Sequence, residues 1–277
     1  MTGDENSTVK EQARSVWALG DYARVADDVL AGLGDRLVEA CGIKARHRVL
    51  DVATGTGGAA LPAAARGASV VASDLTPELL DAGRRRALER GLELEWVEAD
   101  AEQLPFEDGE FDVVMSCIGA MFAPDHQRTA DELLRVCKPG GTIGLINWAA
   151  DGSIARFFEV FAPYAPPSPA GAQSPMLWGS AEHVELLFGN RVSHLDMMAG
   201  DLVVEHFADK EDFCAYYKAN FGPAIATYAD IADDPERVAA LDRDFLDYAA
   251  RANVSPTAPS PTYVFDYVVV LARKKES

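Results

Sequence analysis

Two carboxylates and one glycine-rich turn stand where this chain could grip a ligand. Asp51 sits inside the apolar run Val49-Leu50-Asp51-Val52, and Ala53-Thr54-Gly55-Thr56-Gly57-Gly58 follows, ahead of an Ala-rich stretch that reads as a helix over 58–66. Asp74 closes a second apolar run, Ser69-Val70-Val71-Ala72-Ser73, twenty-three positions after Asp51. Glycine at a strand-to-helix junction lets backbone approach a ligand closely and visit positive φ. A carboxylate ending the second strand can accept hydrogen bonds from two ribose hydroxyls, whatever nucleoside carries them. Asp51 narrows the choice. At the tip of the first strand a carboxylate repels a pyrophosphate and suits a ligand that carries positive charge.

Gly55-x-Gly57-x-x-Ala60 also fits the loose dinucleotide fingerprint, so a nicotinamide-dependent oxidoreductase is the competing possibility. It has no recognisable Tyr-x-x-x-Lys pair here and leaves Asp51 and Asp100 unexplained. S-adenosylmethionine, with a sulfonium, an ammonium and no phosphate, suits Asp51. Asp51 through Gly57 resembles the first motif of the class I S-adenosylmethionine-dependent methyltransferases, in the small-molecule branch that includes the ubiquinone/menaquinone-type enzymes. Ala53 departs from it, standing where that family usually has glycine. Three further segments, in order, are similar to the family: Glu98 through Phe106 after the third strand, Phe111 through Ser116 as the fourth, and Leu134 through Gly141 before the fifth. The resemblance covers residues 45–150. It implies that Asp100 meets the adenine amino group and the Ala101 N–H meets the ring. Lys138-Pro139-Gly140-Gly141 reads as a helix stop and tight turn, a matter of backbone geometry.

These residues need a scaffold, and the order of elements supplies one. Val25, Ala26, Leu30, Leu33, Leu37 and Cys41 recur at helical spacing over 21–41, and strands follow at 47–53, 69–74, 94–98, 111–116 and 142–148 with helical segments between them. Right-handed crossovers then give a parallel sheet covered on both faces, with its crevice at the carboxyl ends of the strands. By resemblance, 263–274 is the seventh strand, inserted antiparallel beside a sixth near 201–207. The fold expected is α/β: a doubly wound, mostly parallel seven-stranded Rossmann-like sheet with helical cap insertions. Its divisions are a helical lid over 1–44, a cofactor core over 45–150, a substrate cap over 151–192 and 208–262, and closing strands over 193–207 and 263–277.

Cofactor contacts are expected from Tyr22, Asp51, Ala53, Thr54, Gly55, Gly57, Asp74, Leu75, Asp100, Ala101, Glu102, Ser116, Cys117 and Met121. Tyr22 is included because N-terminal segments of related enzymes fold over the cofactor, and a tyrosine offers a π face to a sulfonium. The cap carries aromatics at helical spacing and a proline-rich loop over 165–171. Inserts of this kind roof substrate pockets, so Trp17, Phe122, Phe158, Trp178 and Tyr217 are expected toward substrate. A sulfonium is already a good leaving group. Alignment of nucleophile, methyl carbon and sulfur is the main requirement, and alignment of this kind is worth roughly 7–11 kcal/mol. Where the acceptor is a hydroxyl, His126 after the fourth strand is the best-placed base, with His183 behind it.

Composition bounds the rest. The chain has 277 residues, 48% of them hydrophobic, and a net charge of −19. So acidic a surface disfavours DNA or RNA as partners. No apolar run approaches a membrane span, the N-terminus lacks a signal-peptide core, and four cysteines are scattered without a Cys-x-x-Cys pair. A cytoplasmic enzyme is expected, possible as a homodimer, without metal, membrane or nucleic-acid partner. Its substrate is expected to be a small, partly apolar or aromatic metabolite methylated at O or C, with N behind. Ser116-Cys117-Ile118-Gly119 occupies the place of the Asn-Pro-Pro-Tyr signature of base-modifying enzymes, which disfavours a nucleobase amine. A protein that keeps the cofactor without transferring methyl, binding a ligand or guiding a cyclisation, is the remaining alternative.

Overall fold

The computed structural model describes residues 3–167 and 171–276, so Ser168, Pro169 and Ala170 of the expected proline-rich loop lie outside the described residues. The chain forms two units. One holds Ala31–Ala150, Gly171–Gly200 and the segment from Tyr267 onward; the other holds the segment up to Leu30, the segment from Asp151 to the proline-rich loop, and Asp201–Asp266.

The first unit is built on a seven-stranded sheet in the order β3-β2-β1-β4-β5-β7-β6. Strands β1 (Arg48–Val52), β2 (Ser69–Asp74), β3 (Glu95–Glu98), β4 (Phe111–Cys117) and β5 (Cys137–Trp148) pair in parallel. β7 (Tyr263–Lys274) runs antiparallel to β5, with β6 (Val192–Val204) at the far edge. Val49, Leu50, Val52, Val70, Val71, Ala72, Val113 and Val114 are all buried, as strands covered on both faces require. Register sets Asp51 beside Ala72 on one side and Met115 on the other, so Asp51 and Asp74 lie near the carboxyl ends of two neighbouring strands.

Helices α3 (Leu33–Ala40), α4 (Ala60–Ala65), α5 (Pro77–Glu89), α6 (His126–Val136) and α8 (Ala181–Phe188) belong to this unit. A side chain at Gly34 would collide with the Gly58 carbonyl, so α3 lies directly on the glycine-rich turn. The single helix expected over 21–41 is two helices, α2 (Tyr22–Asp28) and α3, because Gly32 takes a φ of +84° and starts a new axis. β5 begins at Cys137, ahead of the expected 142. Phe111 pairs with Cys137 and Val113 with Thr142, so Lys138–Gly141 bulge out of the strand around Gly140 at φ +69° instead of forming a turn before it. β6 starts at Val192 and stops at Val204 where a strand near 201–207 was expected; Gly200 packs against the Tyr267 ring of β7 where no side chain fits, which carries the strand through a poor strand former.

The second unit is helical: α1 (Gly3–Ala18), α2, α7 (Ser153–Phe161), α9 (Lys210–Asn220), α10 (Gly222–Asp230) and α11 (Pro235–Ala252). Its core is aromatic. Phe213 packs on Tyr263 at 4.3 Å, on Tyr217 at 4.8 Å and on Phe207 at 5.0 Å, while Phe161 meets Phe245 at 5.1 Å. Offset and edge-to-face pairs of this kind add to the large apolar area each ring buries. The Tyr248 hydroxyl donates to the Ser153 carbonyl at 2.9 Å, which satisfies a polar tip inside that core. Trp178 and α8, read from sequence as part of the cap, group instead with the sheet unit. Gly179 explains this, since it lies so close to the Trp148–Ala150 backbone at the end of β5 that no Cβ fits between.

Candidate functional site

The tips of β1, β2 and β4 converge through short hydrogen bonds. The Thr54 N–H donates to the Ser73 carbonyl at 2.9 Å, and the Gly55 N–H donates to Asp74 Oδ2 at 2.7 Å. On the other side of β1, the Ser116 hydroxyl donates to the Val52 carbonyl at 2.6 Å and accepts from the Ala120 N–H at 2.8 Å. The backbone is unusual at the same place. Ala53 and Ile118, at the ends of β1 and β4, both take a φ of +52°, the only non-glycine residues in that region among those described. Each costs about 1–3 kcal/mol, and strain of this kind gathers at ligand sites. Ala53 adopts the conformation for which glycine is suited, consistent with the departure noted at that position. Gly119 lies against the Ala53 carbonyl with no room for a side chain, so the two strained loops are in contact.

Asp51 is buried at the centre of this convergence. Its Oδ2 accepts from the Thr54 hydroxyl at 2.6 Å, and Oδ1 is buried with no well-formed hydrogen bond. Burial pushes the carboxyl up to about 7, against the Thr54 hydroxyl and the weaker pull of the Ala60 N–H, with Asp74 adding to the push. A buried carboxyl held at the margin of ionisation responds to what is placed beside it: a cation restores its charge and an anion drives it to the neutral acid. Asp74 is pushed up by burial too, but its two oxygens hold the Gly55 and Thr76 N–H groups, which oppose that push. Asp74 therefore holds Thr76, the residue that leads into α5, and braces the turn as well as ending β2, and each oxygen keeps a lone pair for a hydroxyl.

A nucleoside with a cationic tail fits these residues. The space over Gly55, at φ +57°, is open where a side chain would project, whereas Gly57 at φ +87° is closed by Leu61 and Trp96. One glycine therefore leaves open space over the turn and the other lets α4 pack. Leu75 is half-buried just past Asp74. Beyond β3, Asp100 Oδ1 accepts from the Glu102 N–H at 2.9 Å and Ala101 is half-buried between them. Glu102 is buried, and its Oε1 accepts from the Asp125 N–H at 2.7 Å, joining the loop after β3 to the start of α6. After β4, Cys117 and Phe122 are half-buried and Met121 is buried; burial raises the Cys117 thiol far above its ordinary value, which keeps it neutral.

His126 opens α6 behind the Asp125 cap, whose side chain accepts from the Arg128 N–H at 3.0 Å. The ring is buried, and its Nδ1 is hydrogen-bonded to His183 Nε2 at 2.9 Å. Trp178 packs on it at 5.5 Å and is itself 1% exposed, so neither ring stands free. Burial first, and His183 second, push His126 down to about 4. A neutral imidazole so weakly basic is a poor proton acceptor at neutral pH.

The remaining sequence candidates lie in the helical unit. Trp17, Tyr22 and Phe221 form a trio with centroids 5.5–6.4 Å apart, and the Tyr22 hydroxyl accepts from the Gly222 N–H at 3.1 Å. Burial raises the Tyr22 phenol far above its ordinary range. Tyr217 is buried in the aromatic core, and Phe158 is half-buried against Phe157 and Phe221 at 5.9 Å from each. Sequence reasoning missed Ile118 and Gly119, Gly34 beneath the turn, and the Ser116 link to Val52. An isoleucine in the left-handed region has no signature in composition or periodicity.

Comparison with known proteins bears on this geometry. Residues 49–141 match the family described as methyltransferase domain. An uncharacterized protein of Mycobacterium tuberculosis is 50% identical over 234 residues, 84% of this chain and 85% of that protein. A demethylmenaquinone methyltransferase of Thermus thermophilus is 45% identical over 107 residues, 38% of this chain and 49% of the enzyme. Among solved structures, a candidate methyltransferase of Bacillus halodurans superposes with a TM-score of 0.58 at 25% identity, covering 87% of this chain and 98% of that one.

Proposed function

As the chain belongs to the class I S-adenosylmethionine-dependent methyltransferase family, we propose that it transfers the methyl group of S-adenosylmethionine to an oxygen or carbon of a small, partly apolar or aromatic metabolite, with nitrogen the less favoured acceptor. The observation that carries this is Asp51: a buried carboxyl at the β1 tip, held near pH 7, with one oxygen lacking a well-formed bond. Bound there, the cofactor supplies an electrophilic methyl on a cationic sulfur. The chain's own groups would hold it. Asp51 and the open face of Gly55 take the methionine end, Asp74 the ribose, and Asp100 with the Ala101 N–H the adenine.

Water exclusion and alignment are then the enzyme's work, since the leaving group needs no protonation. Met121, buried after β4, and half-buried Phe122 offer an apolar wall beside the reacting region. His126 is assigned to the scaffold more readily than to proton transfer. Its link to His183 and its low basicity suit a joint that fixes α6 against α8, and a substrate hydroxyl would need another acceptor. Loss of methyl transfer in His126→Ala with unchanged stability would reinstate it as the base.

Calorimetry with S-adenosylmethionine, its demethylated product and NAD tests the cofactor, and binding of the first two alone is the expected result. Labelled-methyl transfer to a metabolite extract then tests the reaction. Binding without any labelled product would favour a protein that uses the cofactor without transferring its methyl.

A further inference from the structure

At the opposite, amino-terminal end of the strands lies a second cavity of about 720 Å³, bordered by the loop before β1, the starts of β4 and β5, and the end of β7. Its ionic character is the reverse of the chain's. The whole protein carries −19, yet Lys44, Arg46, Lys138 and Arg273 line this one cavity against only Asp112 and Asp196. Both acids are already engaged: Asp112 accepts from Lys138 Nζ at 2.7 Å and from the Arg48 N–H at 2.8 Å, and Asp196 holds His194 at 2.6 Å. Arg273 donates one N–H to the Gly140 carbonyl at 2.6 Å. Among the described residues, neither Lys44 nor Arg46 pairs with a carboxylate. Two neighbouring cations of this cavity are therefore left without a carboxylate.

His47 reports on the same field. Its Nδ1 accepts from the Lys44 N–H at 3.3 Å, which leaves the neutral ring's proton on Nε2 as a further donor. Burial holds His47 below the usual imidazole range, and Arg46, Lys44 and Lys138 all push it the same way against the opposing pull of Asp112. Ammonium groups, guanidinium forks and an imidazole N–H, with Asp112 and Asp196 spent, make a donor set for an anion of several charges. Guanidinium geometry matches phosphate oxygens in particular.

We propose that this cavity binds a phosphate-bearing small anion, a free pyrophosphate or the polyphosphate of a nucleotide, at a site separate from the methyl-transfer crevice. The test uses the full chain and the double variant Lys44→Gln/Arg46→Gln. Inorganic pyrophosphate is titrated by calorimetry at constant ionic strength, with sodium chloride as the matched control, while the His47 ring is followed by NMR through its pH titration. Pyrophosphate is expected to bind and to shift the His47 midpoint upward. The double variant is expected to bind it about tenfold more weakly or worse, with unchanged affinity for S-adenosylmethionine to show an intact fold. Tighter binding of ADP than of pyrophosphate would assign the nucleotide as source, and the reverse would assign the free anion. The proposal fails if chloride at equal ionic strength moves His47 as far, if the double variant binds as the wild type does, or if a short oligonucleotide binds more tightly than either small anion.

Discussion

The carboxyl ends of β1, β2 and β4 and the aromatic core of the helical unit solve opposite problems. At the strand ends the chain buries Asp51, Asp74 and Ser116 and holds Ala53 and Ile118 in a left-handed backbone, all of which cost stability. Around Phe213 it packs Phe207, Tyr217, Phe245 and Tyr263 ring against ring, with the Tyr263 hydroxyl buried and without a hydrogen-bond partner. One region departs from the rules that make a fold stable in its charges and its backbone, and the other follows them apart from that one hydroxyl. Departure of that kind, concentrated on three neighbouring strand tips, is what marks a ligand site.

Substitutions should separate the two regions. Phe213→Ala is expected to have the largest effect, a loss of about 3–5 kcal/mol of stability in urea unfolding, because it empties a fully buried aromatic position. A cost below about 1 kcal/mol would mean that this cluster is not the core it looks to be.

Asp51→Asn is expected to do the reverse, weakening S-adenosylmethionine binding about 100-fold while leaving stability equal or higher. Its pH dependence sharpens the contrast. The folded-state value near 7 lies above the ordinary 3.8, so the native state holds the extra proton. Asp51's contribution to stability is therefore fully present below about pH 4 and is lost as pH rises through about 7. The unliganded wild type should lose stability over that interval, and Asp51→Asn should lose less. Equal slopes would remove Asp51 from the explanation.

Asp74→Ala should weaken the cofactor about tenfold through the lost ribose acceptor, and should also loosen the Gly55 turn that the carboxylate braces. Calorimetry with adenosine alone would isolate the ribose part. Smallest is Ala53→Gly. Release of a left-handed alanine offsets the extra freedom glycine brings to the unfolded chain, so a change within about 1 kcal/mol is expected in thermal unfolding.

Much of the sheet was legible in the sequence because its strands are buried on both faces and read as apolar runs ending in acids. β2 at 69–74 and β7 at 263–274 are the strands as read. Asp51, Gly55 and Asp74 were legible for a related reason: charge and glycine at a strand tip have few structural uses. What escaped depends on distant contacts. The bulge at Lys138–Gly141 follows from pairing with β4, the passage of β6 through Gly200 from its contact with Tyr267, and the break at Gly32 from a backbone angle that periodicity does not register. His126 follows the fourth strand as read, at what the structure shows to be the start of α6. Its partner His183 lies 57 residues away, and that pairing decides how basic it is.

The most direct test is the proton balance of cofactor binding. S-adenosylmethionine is titrated into the wild type by calorimetry in two buffers of different ionisation heat, at a pH about half a unit below the Asp51 midpoint near 7. A cationic ligand beside Asp51 should release a proton and bind more tightly as pH rises, and the release should vanish in Asp51→Asn. Binding that neither releases a proton nor depends on pH, or NAD binding in place of S-adenosylmethionine, would contradict the assignment of Asp51 as the acid that receives a cation.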